Sequence, residues 1–210
     1  MALIHNAQLA PSKLELLGTW LPSQPWWARP GASAESVGAY RFDDPAGEVG
    51  IETLLVNGGD GQILQVPLTY RGAPLESAEN ALVGTLEHSV LGPRWVYDAC
   101  FDPVYVTALA TVIFTGGTQA ELEIASETGL LRREPTTRVA GSGAPGVSVA
   151  PINSVTSTTD QRSTTIRAGD VELVMRRVLN GELVTGDALT LTGVWPGNDE
   201  PVVLALARTS

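Results

Sequence analysis

The sequence predicts an α+β protein in which antiparallel strands outnumber helices. Between residues 38 and 70, runs of alternating apolar and polar residues are joined by Asp-Pro and Asn-Gly turns, which is typical of a meander. Two segments outside this range, one beginning at Ser12 and one at Asp102, carry the capping signals of helices. In the second half, Gly, Asn and Asp turns separate further strand-like runs, at residues 147–155, 162–168, 171–178, 188–195 and 202–208. These observations indicate a first sheet with helices, followed by a second strand-rich region.

The first helix is predicted from its cap. Ser12 and Glu15 have the spacing of a capping box, in which the serine side chain and the glutamate side chain each satisfy a backbone N–H of the first turn. Leucines then recur at helical spacing. We expect this helix to end near Trp20, because Pro22 cannot continue it.

The second long helix is predicted over residues 104–114 from both of its ends. Asp102 is a favourable N-cap, Pro103 suits the first helical position, and Gly116 can adopt the left-handed conformation that ends a helix. These caps outweigh the β-branched residues, which favour a strand. Residues 76–83 are expected to form a third, short helix.

The first sheet is predicted from three consecutive strands, at residues 38–43, 49–56 and 62–70, with a short strand at residues 2–9 before them. The run Gln65–Arg71 ends in an aromatic residue and a cation. The run Trp95–Asp98 consists of aromatic and apolar residues and ends in an acid. We expect these two runs to pair in the core of the domain.

Several residues invite a catalytic or metal-binding interpretation that their spacing does not support. His5 has no second ligand at metal-binding spacing. His88 could belong to a Ser/His/Asp triad, but the sequence has no Gly-x-Ser-x-Gly motif to supply the serine. The acids at 43, 44, 48 and 52 fall on turns and alternating strand positions, which predicts a solvated face. Cys100 is expected to be a buried structural thiol, since a single cysteine forms no internal disulfide.

Composition limits the class of protein. The 210 residues, 43% apolar and 17% charged, suit a soluble globular protein of one large or two small domains. The net charge of −10 argues against binding to nucleic acid or to an anionic membrane. No run approaches the ~18 apolar residues of a membrane span, and the N-terminus does not resemble a signal peptide, so we expect a cytoplasmic protein. Lysine is nearly absent, which suggests a GC-rich bacterial genome.

The loop that contains Trp20, Trp26 and Trp27 leaves two interpretations open. Tryptophans on a rigid, proline-rich loop can stack against sugar rings, because an indole combines a large apolar face with a polar edge. They can also anchor the loop to the core, and we favour this second interpretation because large aromatic side chains are usually mostly buried.

Four segments together resemble a known family. The runs Trp20–Trp27, Gln65–Arg71, Gly84–Leu86 and Trp95–Asp98 are similar to the N-terminal cap of bacterial maltokinases, over roughly residues 1–118. The resemblance implies a curved antiparallel sheet with helices, similar to the cystatin arrangement. Maltokinases phosphorylate maltose with ATP and feed α-glucan synthesis.

The second half resembles the paired strands of a kinase N-lobe, over residues 163–177. In the family a nucleotide-binding lysine lies on the second strand. The matching place here falls at or near Val174, and Arg176 is the nearest cation, which is a poor substitute for that lysine. The sequence stops at Ser210, before a kinase C-lobe, which would hold magnesium. We therefore expect no kinase activity and no cofactor.

The expected organisation is a cap-like α+β domain at residues 1–124, a linker at 125–146 and a β-rich domain at 147–210. The expected function is that of a non-catalytic accessory or adaptor protein, which docks to an enzyme of α-glucan or trehalose metabolism. An open edge strand leaves homo-oligomers possible.

Two alternatives use particular side chains. The first is a carbohydrate-binding module for α-glucans, whose residues would be Trp26, Trp27, Arg29, Tyr70 and Arg71. The second is a remnant nucleotide-binding protein, in which Arg176 would contact the nucleotide.

Overall fold

The computed structural model describes residues 2–4, 7–28, 33–59, 61–76, 78–126, 129–181 and 183–209. It confirms the α+β class. Two α-helices are present among these residues, α1 (Lys13–Trp20) and α2 (Pro103–Thr115). The strands, in chain order, are β1 (Ala2–Ile4), β2 (Leu9–Ala10), β3 (Glu35–Phe42), β4 (Gly50–Asn57), β5 (Ile63–Arg71), β6 (Leu82–His88), β7 (Gly92–Asp98), β8 (Leu122–Ser126), β9 (Gly129–Arg133), β10 (Arg138–Gly141), β11 (Thr156–Thr159), β12 (Ser163–Ala168), β13 (Val171–Arg176), β14 (Leu189–Trp195) and β15 (Asn198–Thr209).

The strands form three sheets. The first sheet has the order β2-β6-β7-β5-β4-β3, and the second has the order β10-β14-β15-β13-β12-β11; the paired strands in both are antiparallel. A small sheet has the order β1-β8-β9, with β1 parallel to β8. No helix in the described parts of the chain has the length and apolar character needed to cross a membrane.

The meander and the central strand pair follow the prediction. β3, β4 and β5 are consecutive antiparallel neighbours, as their turn residues indicate. β5 also pairs with β7, in a register that places Leu68 opposite Asp98 and Arg71 opposite Trp95. The two runs singled out in the sequence are therefore neighbours in the middle of the first sheet.

Both long helices have the predicted caps. The Ser12 side chain accepts a hydrogen bond from the Glu15 backbone N–H, and the Glu15 carboxylate accepts one from the Ser12 N–H at 2.8 Å. The Asp102 carboxylate accepts from the Val104 N–H at 3.0 Å, and α2 ends at Gly116 with φ of 69°. Local sequence therefore determines where these helices begin and end.

The first and second sheets share one hydrophobic core. α2 lies in this core, which includes Tyr40 and Leu55 of the first sheet and Leu173 and Leu204 of the second. The opposite face of the first sheet packs against α1 and the tryptophan loop in a separate core. The first sheet is thus covered on both faces.

A buried glutamine adds polar links across the shared core. The Gln65 side-chain amide on β5 donates hydrogen bonds to the backbone carbonyls of Arg176, at 2.8 Å, and Leu204, at 3.0 Å. Its side-chain oxygen accepts from the Tyr40 hydroxyl at 2.9 Å. Because each of these groups is buried, the links fix how the two sheets sit on one another.

The segment predicted as a linker, residues 125–146, contains regular structure. β9 pairs with β8, and β10 forms one edge of the second sheet beside β14. The glycines that follow β10 lie against the end of α2, where the Gly143 N–H donates to the Ile113 carbonyl at 2.9 Å. The glycine-rich composition thus serves close packing here, while the domain boundaries themselves stay a prediction.

Three local predictions were wrong. The described part of residues 76–83 forms no α-helix, because a 3-10 helix (Glu79–Ala81) leads directly into β6, whose pairing with β7 begins at Leu82. Residues 147–155 form no strand, although Val149, Ile152 and Val155 pack at intervals against the core. The predicted first strand is divided into β1 and β2, and His5 lies outside the described residues.

Candidate functional site: a charged cleft beside the first sheet

The most concentrated group of interacting charges surrounds Glu52 on β4. This carboxylate is only 6% exposed and forms ion pairs with Lys13 at the start of α1 and with Arg41 on β3, the latter at 3.1 Å. The Tyr70 hydroxyl on β5 donates to the same carboxylate at 3.2 Å. The solvated face predicted for Glu52 is therefore wrong.

The strand register explains this cluster. Arg41 lies directly opposite Glu52 in the β3–β4 pair, so their side chains project from the same face of the sheet. The side chain of Lys13 reaches this face from α1, and its ammonium also lies 5.7 Å from the centre of the Tyr70 ring. Helix and sheet together enclose the carboxylate.

A cleft of about 590 Å³ opens beside this cluster. Lys13, Arg41 and Tyr70 contribute to its lining, as do two turns of the first sheet. The β3–β4 turn supplies acidic side chains, and the β6–β7 turn supplies His88 and, just beyond, Arg94. The cleft therefore has cations and carboxylates in its walls.

Both turns are held by side-chain hydrogen bonds. The Asp44 carboxylate accepts from the backbone N–H groups of Ala46, Glu48 and Val49 at 2.9–3.0 Å. In the other turn, Nδ1 of His88 accepts from the N–H groups of Val90 and Leu91. Asp44 and His88 thus shape the cleft through turn geometry, a role that their sequence spacing did not reveal.

Electrostatics keep Glu52 ionised. Burial by itself would raise the pKa of Glu52, but the charges of Arg41 and Lys13 and their hydrogen bonds outweigh burial and hold the pKa below its ordinary value. Burial and the Glu52 charge together raise the pKa of the Tyr70 hydroxyl well above its ordinary value. Tyr70 therefore stays protonated and acts as a hydrogen-bond donor.

The lowered pKa of Glu52 predicts an effect on acid stability. A carboxyl whose pKa is lower in the folded state contributes stability above its unfolded pKa, about 4.3, and loses it as the pH falls through the folded value. We expect Glu52→Gln to weaken the dependence of unfolding free energy on pH below about pH 5. Urea denaturation across that range measures it, with the exposed Glu134→Gln as control. Parallel curves for wild type and Glu52→Gln would contradict the prediction.

The two tryptophans of the carbohydrate-binding alternative are buried, in agreement with the favoured interpretation of the loop. Trp26 is 2% exposed and Trp27 is 8% exposed, and both belong to the core on the α1 side of the first sheet. Trp20 packs edge-to-face on Trp26 with ring centres 5.8 Å apart. The loop is anchored to the core. The indoles of Trp26 and Trp27 leave little exposed surface on which a sugar ring could stack. Arg29 lies outside the described residues.

The structure separates the two remaining residues of the predicted carbohydrate set. Tyr70 lines the cleft, whereas its neighbour on β5, Arg71, projects to the opposite face and forms a two-point ion pair with Asp102. The distances in this pair are 2.7 and 2.6 Å. Arg71 therefore holds the N-cap residue of α2.

Arg176, the predicted nucleotide contact, is buried and bonded to the backbone. Its guanidinium donates to the carbonyls of Val203, Leu179 and Gly181 at 2.9–3.0 Å. Burial, and then the nearby charge of Arg162, lower the pKa of Arg176. These bonds direct the guanidinium toward the protein interior.

The sequence did not indicate a second buried ion pair, between Asp98 and Arg177. Arg177 is fully buried, and its guanidinium donates to the Asp98 carboxylate at 2.5 Å and to the Thr164 hydroxyl at 2.8 Å. The guanidinium also lies 5.3 Å from the Trp26 ring. This pair joins the end of β7 to the segment after β13, and so connects the two large sheets.

Cys100 is buried, as predicted, and burial raises the pKa of its thiol. The parts of the chain that the structure describes contain no group of three or more His, Cys, Asp or Glu side chains placed to hold a metal ion.

No curated protein matches the chain. Residues 20–102 match the family model of the maltokinase N-terminal cap domain, a range that runs from the tryptophan loop through β7 to the N-cap of α2. The resemblance noted in the sequence is confirmed for this range, which is similar to the N-terminal cap domain of maltokinases.

Proposed function

We propose that the chain is a non-catalytic accessory protein of α-glucan metabolism that docks to an enzyme acting on maltose, trehalose or glycogen. The family match carries this proposal, because it associates residues 20–102 with maltokinases and with the metabolism in which they take part. A cap domain is an addition to a kinase and not its catalytic part, which favours a supporting role.

The contacts of the second half support the non-catalytic part of the proposal. The position similar to the nucleotide-binding lysine falls at or near Val174, whose side chain bears no charge. The nearest cation, Arg176, donates to three backbone carbonyls, so a phosphate group would have to displace these bonds. The geometry therefore also favours the accessory role over a remnant nucleotide-binding protein.

Carbohydrate binding through the tryptophan loop receives less support. The two indoles are buried, and Arg71 is engaged by Asp102 on the other side of the sheet from Tyr70. A sugar at that set of residues would require the loop to leave the core.

Docking is tested in two steps. The tagged chain is cross-linked in its native cells, and the captured proteins are identified by mass spectrometry. A captured enzyme of maltose, trehalose or glycogen metabolism is then purified and mixed with the pure chain, and sedimentation velocity measures whether a complex forms. An unrelated bait of similar size and net charge controls for capture by acidity alone. The proposal predicts a complex of the purified pair, and failure of all such enzymes to associate would contradict it.

Catalysis is tested separately on the pure chain with Mg-ATP and maltose. We expect no maltose phosphate above the level of a reaction without the chain. Turnover that depends on ATP would overturn the non-catalytic assignment, whatever the outcome of the docking experiment.

A further inference from the structure

We infer that the cleft beside Glu52 is a binding site for a neutral polyhydroxylated molecule of monosaccharide or disaccharide size. This site lies on the α1 side of the first sheet and shares only Tyr70 with the carbohydrate-binding set that the sequence predicts. It is independent of the proposed docking function, since a small ligand and a protein partner can each bind without the other.

The dimensions of the cleft suit a small molecule. Its volume of about 590 Å³ falls within the range of roughly 300–1,000 Å³ that is typical of ligand sites. Apolar side chains, including Leu9 and Leu91, lie among the polar ones in its lining. A sugar ring presents both apolar C–H faces and polar edges, so a mixed lining of this kind complements it.

The charges in the walls favour a neutral ligand. Three cations, Lys13, Arg41 and Arg94, line the cleft. Glu52 already pairs with the first two, and the β3–β4 turn supplies further carboxylates. Since the opposite signs nearly balance, neither a multivalent anion nor a cation gains much net attraction.

Hydroxyl groups match this arrangement of donors and acceptors. A hydroxyl donates one hydrogen bond, as to the Glu48 carboxylate, and accepts others, as from the Arg94 guanidinium. A molecule with several hydroxyls on a rigid ring can therefore use both kinds of wall at once. An ionised ligand would meet repulsion from one of them.

The Glu52 cluster orders one side of the cleft before any ligand binds. Glu52 accepts from Lys13, from Nε and one terminal nitrogen of Arg41, and from the Tyr70 hydroxyl. The second terminal nitrogen of the Arg41 guanidinium is not used in these bonds to Glu52. Lys13 has three N–H donors and uses one on Glu52. The cluster thus fixes the side chains and leaves donors for a ligand.

Amide NMR spectra of the full chain can test the site with defined probes. Glucose, maltose and trehalose are titrated one at a time, with inorganic phosphate as the charged probe. Gly47 and Gly50 line the cleft and report on it, whereas Gly169 and Gly186, in turns of the second half, serve as distant reporters. We expect saturable shifts at the cleft glycines with at least one saccharide and unchanged signals at the distant pair.

Two conservative variants test the walls. Arg94→Gln and Glu48→Gln each remove one charged hydrogen-bonding group from the cleft, and we expect each to weaken saccharide binding about tenfold. Arg167→Gln is the matched control, because Arg167 is an exposed arginine on β12 paired with Glu172. This control should bind the saccharide as the wild type does. Preserved spectra away from the cleft show that each variant is folded.

Three outcomes would overturn the inference. The first is the absence of shifts with every saccharide at high millimolar concentration. The second is binding of phosphate alone at the cleft glycines, which would identify an anion site. The third is equal weakening by Arg167→Gln, or shifts spread equally over the distant glycines, which would indicate non-specific binding. None of these outcomes bears on the docking experiment, so the two proposals fail separately.

Discussion

Asp98→Ala should lower the free energy of unfolding by about 3–5 kcal/mol, because it leaves a fully buried guanidinium without its anion. Arg177 keeps its bond to Thr164 and its contact with Trp26, but neither supplies a negative charge. The loss is a large part of the 5–15 kcal/mol that is typical of folded domains. Guanidinium denaturation followed by circular dichroism measures it.

An exposed ion pair provides the matched control. Glu134 and Arg138 are 3.2 Å apart, with side chains 72% and 68% exposed, so Glu134→Ala should change stability by less than about 1 kcal/mol. Asp98→Asn, which retains an acceptor oxygen, should lose less stability than Asp98→Ala and remain measurable if the alanine variant does not fold. Equal effects of Asp98→Ala and Glu134→Ala would show that the buried ion pair contributes no more to the free energy of unfolding than the exposed pair does.

Gly143→Ala is expected to destabilise the chain by about 3 kcal/mol, through overlap with the end of α2. A β-carbon at Gly143 would lie 2.0 Å from the Phe114 carbonyl oxygen and 2.5 Å from that of Ile113. These are backbone atoms of a helix, so they cannot rotate away as a side chain would. The midpoint of thermal unfolding, with the fitted free energy, measures the effect.

Gly18→Ala is the control for adding a methyl group to a glycine. Gly18 lies inside α1, and a β-carbon there would meet no atom within 4 Å. Because alanine favours the helix, this variant should be more stable than the wild type by about 0.5–1 kcal/mol. A similar loss in both variants would mean that the clash at Gly143 is not the cause.

The features that sequence predicted are those set by neighbouring residues. The capping box at Ser12, the N-cap at Asp102 and the glycine at 116 determine the helix ends within a few residues of chain. The turn between β4 and β5 sets the register of the meander in the same way. These signals require no knowledge of distant partners.

The features that sequence missed depend on distant partners. Glu52 was expected in solvent because it falls at an alternating strand position. Lys13, which helps to bury and pair it, lies 39 positions earlier in the sequence. Asp98 and Arg177 are 79 positions apart, and composition gives no sign of their pairing. The glycines at 141 and 143 suggested a linker, because the helix end that requires their small size is not adjacent in sequence. The cleft is made from such long-range contacts, so its position could not be predicted.

The bond from Gln65 to the Leu204 carbonyl also has a consequence for synthesis of the chain. The two residues are 139 positions apart, so at 5–20 residues per second the ribosome needs roughly 7–28 s to make the second after the first. Once β7 has been made, the first sheet can form its own strands, but one of its faces lacks its covering partner until β15 is made. We expect the nascent chain to depend on chaperone shielding during this interval more than the finished protein does.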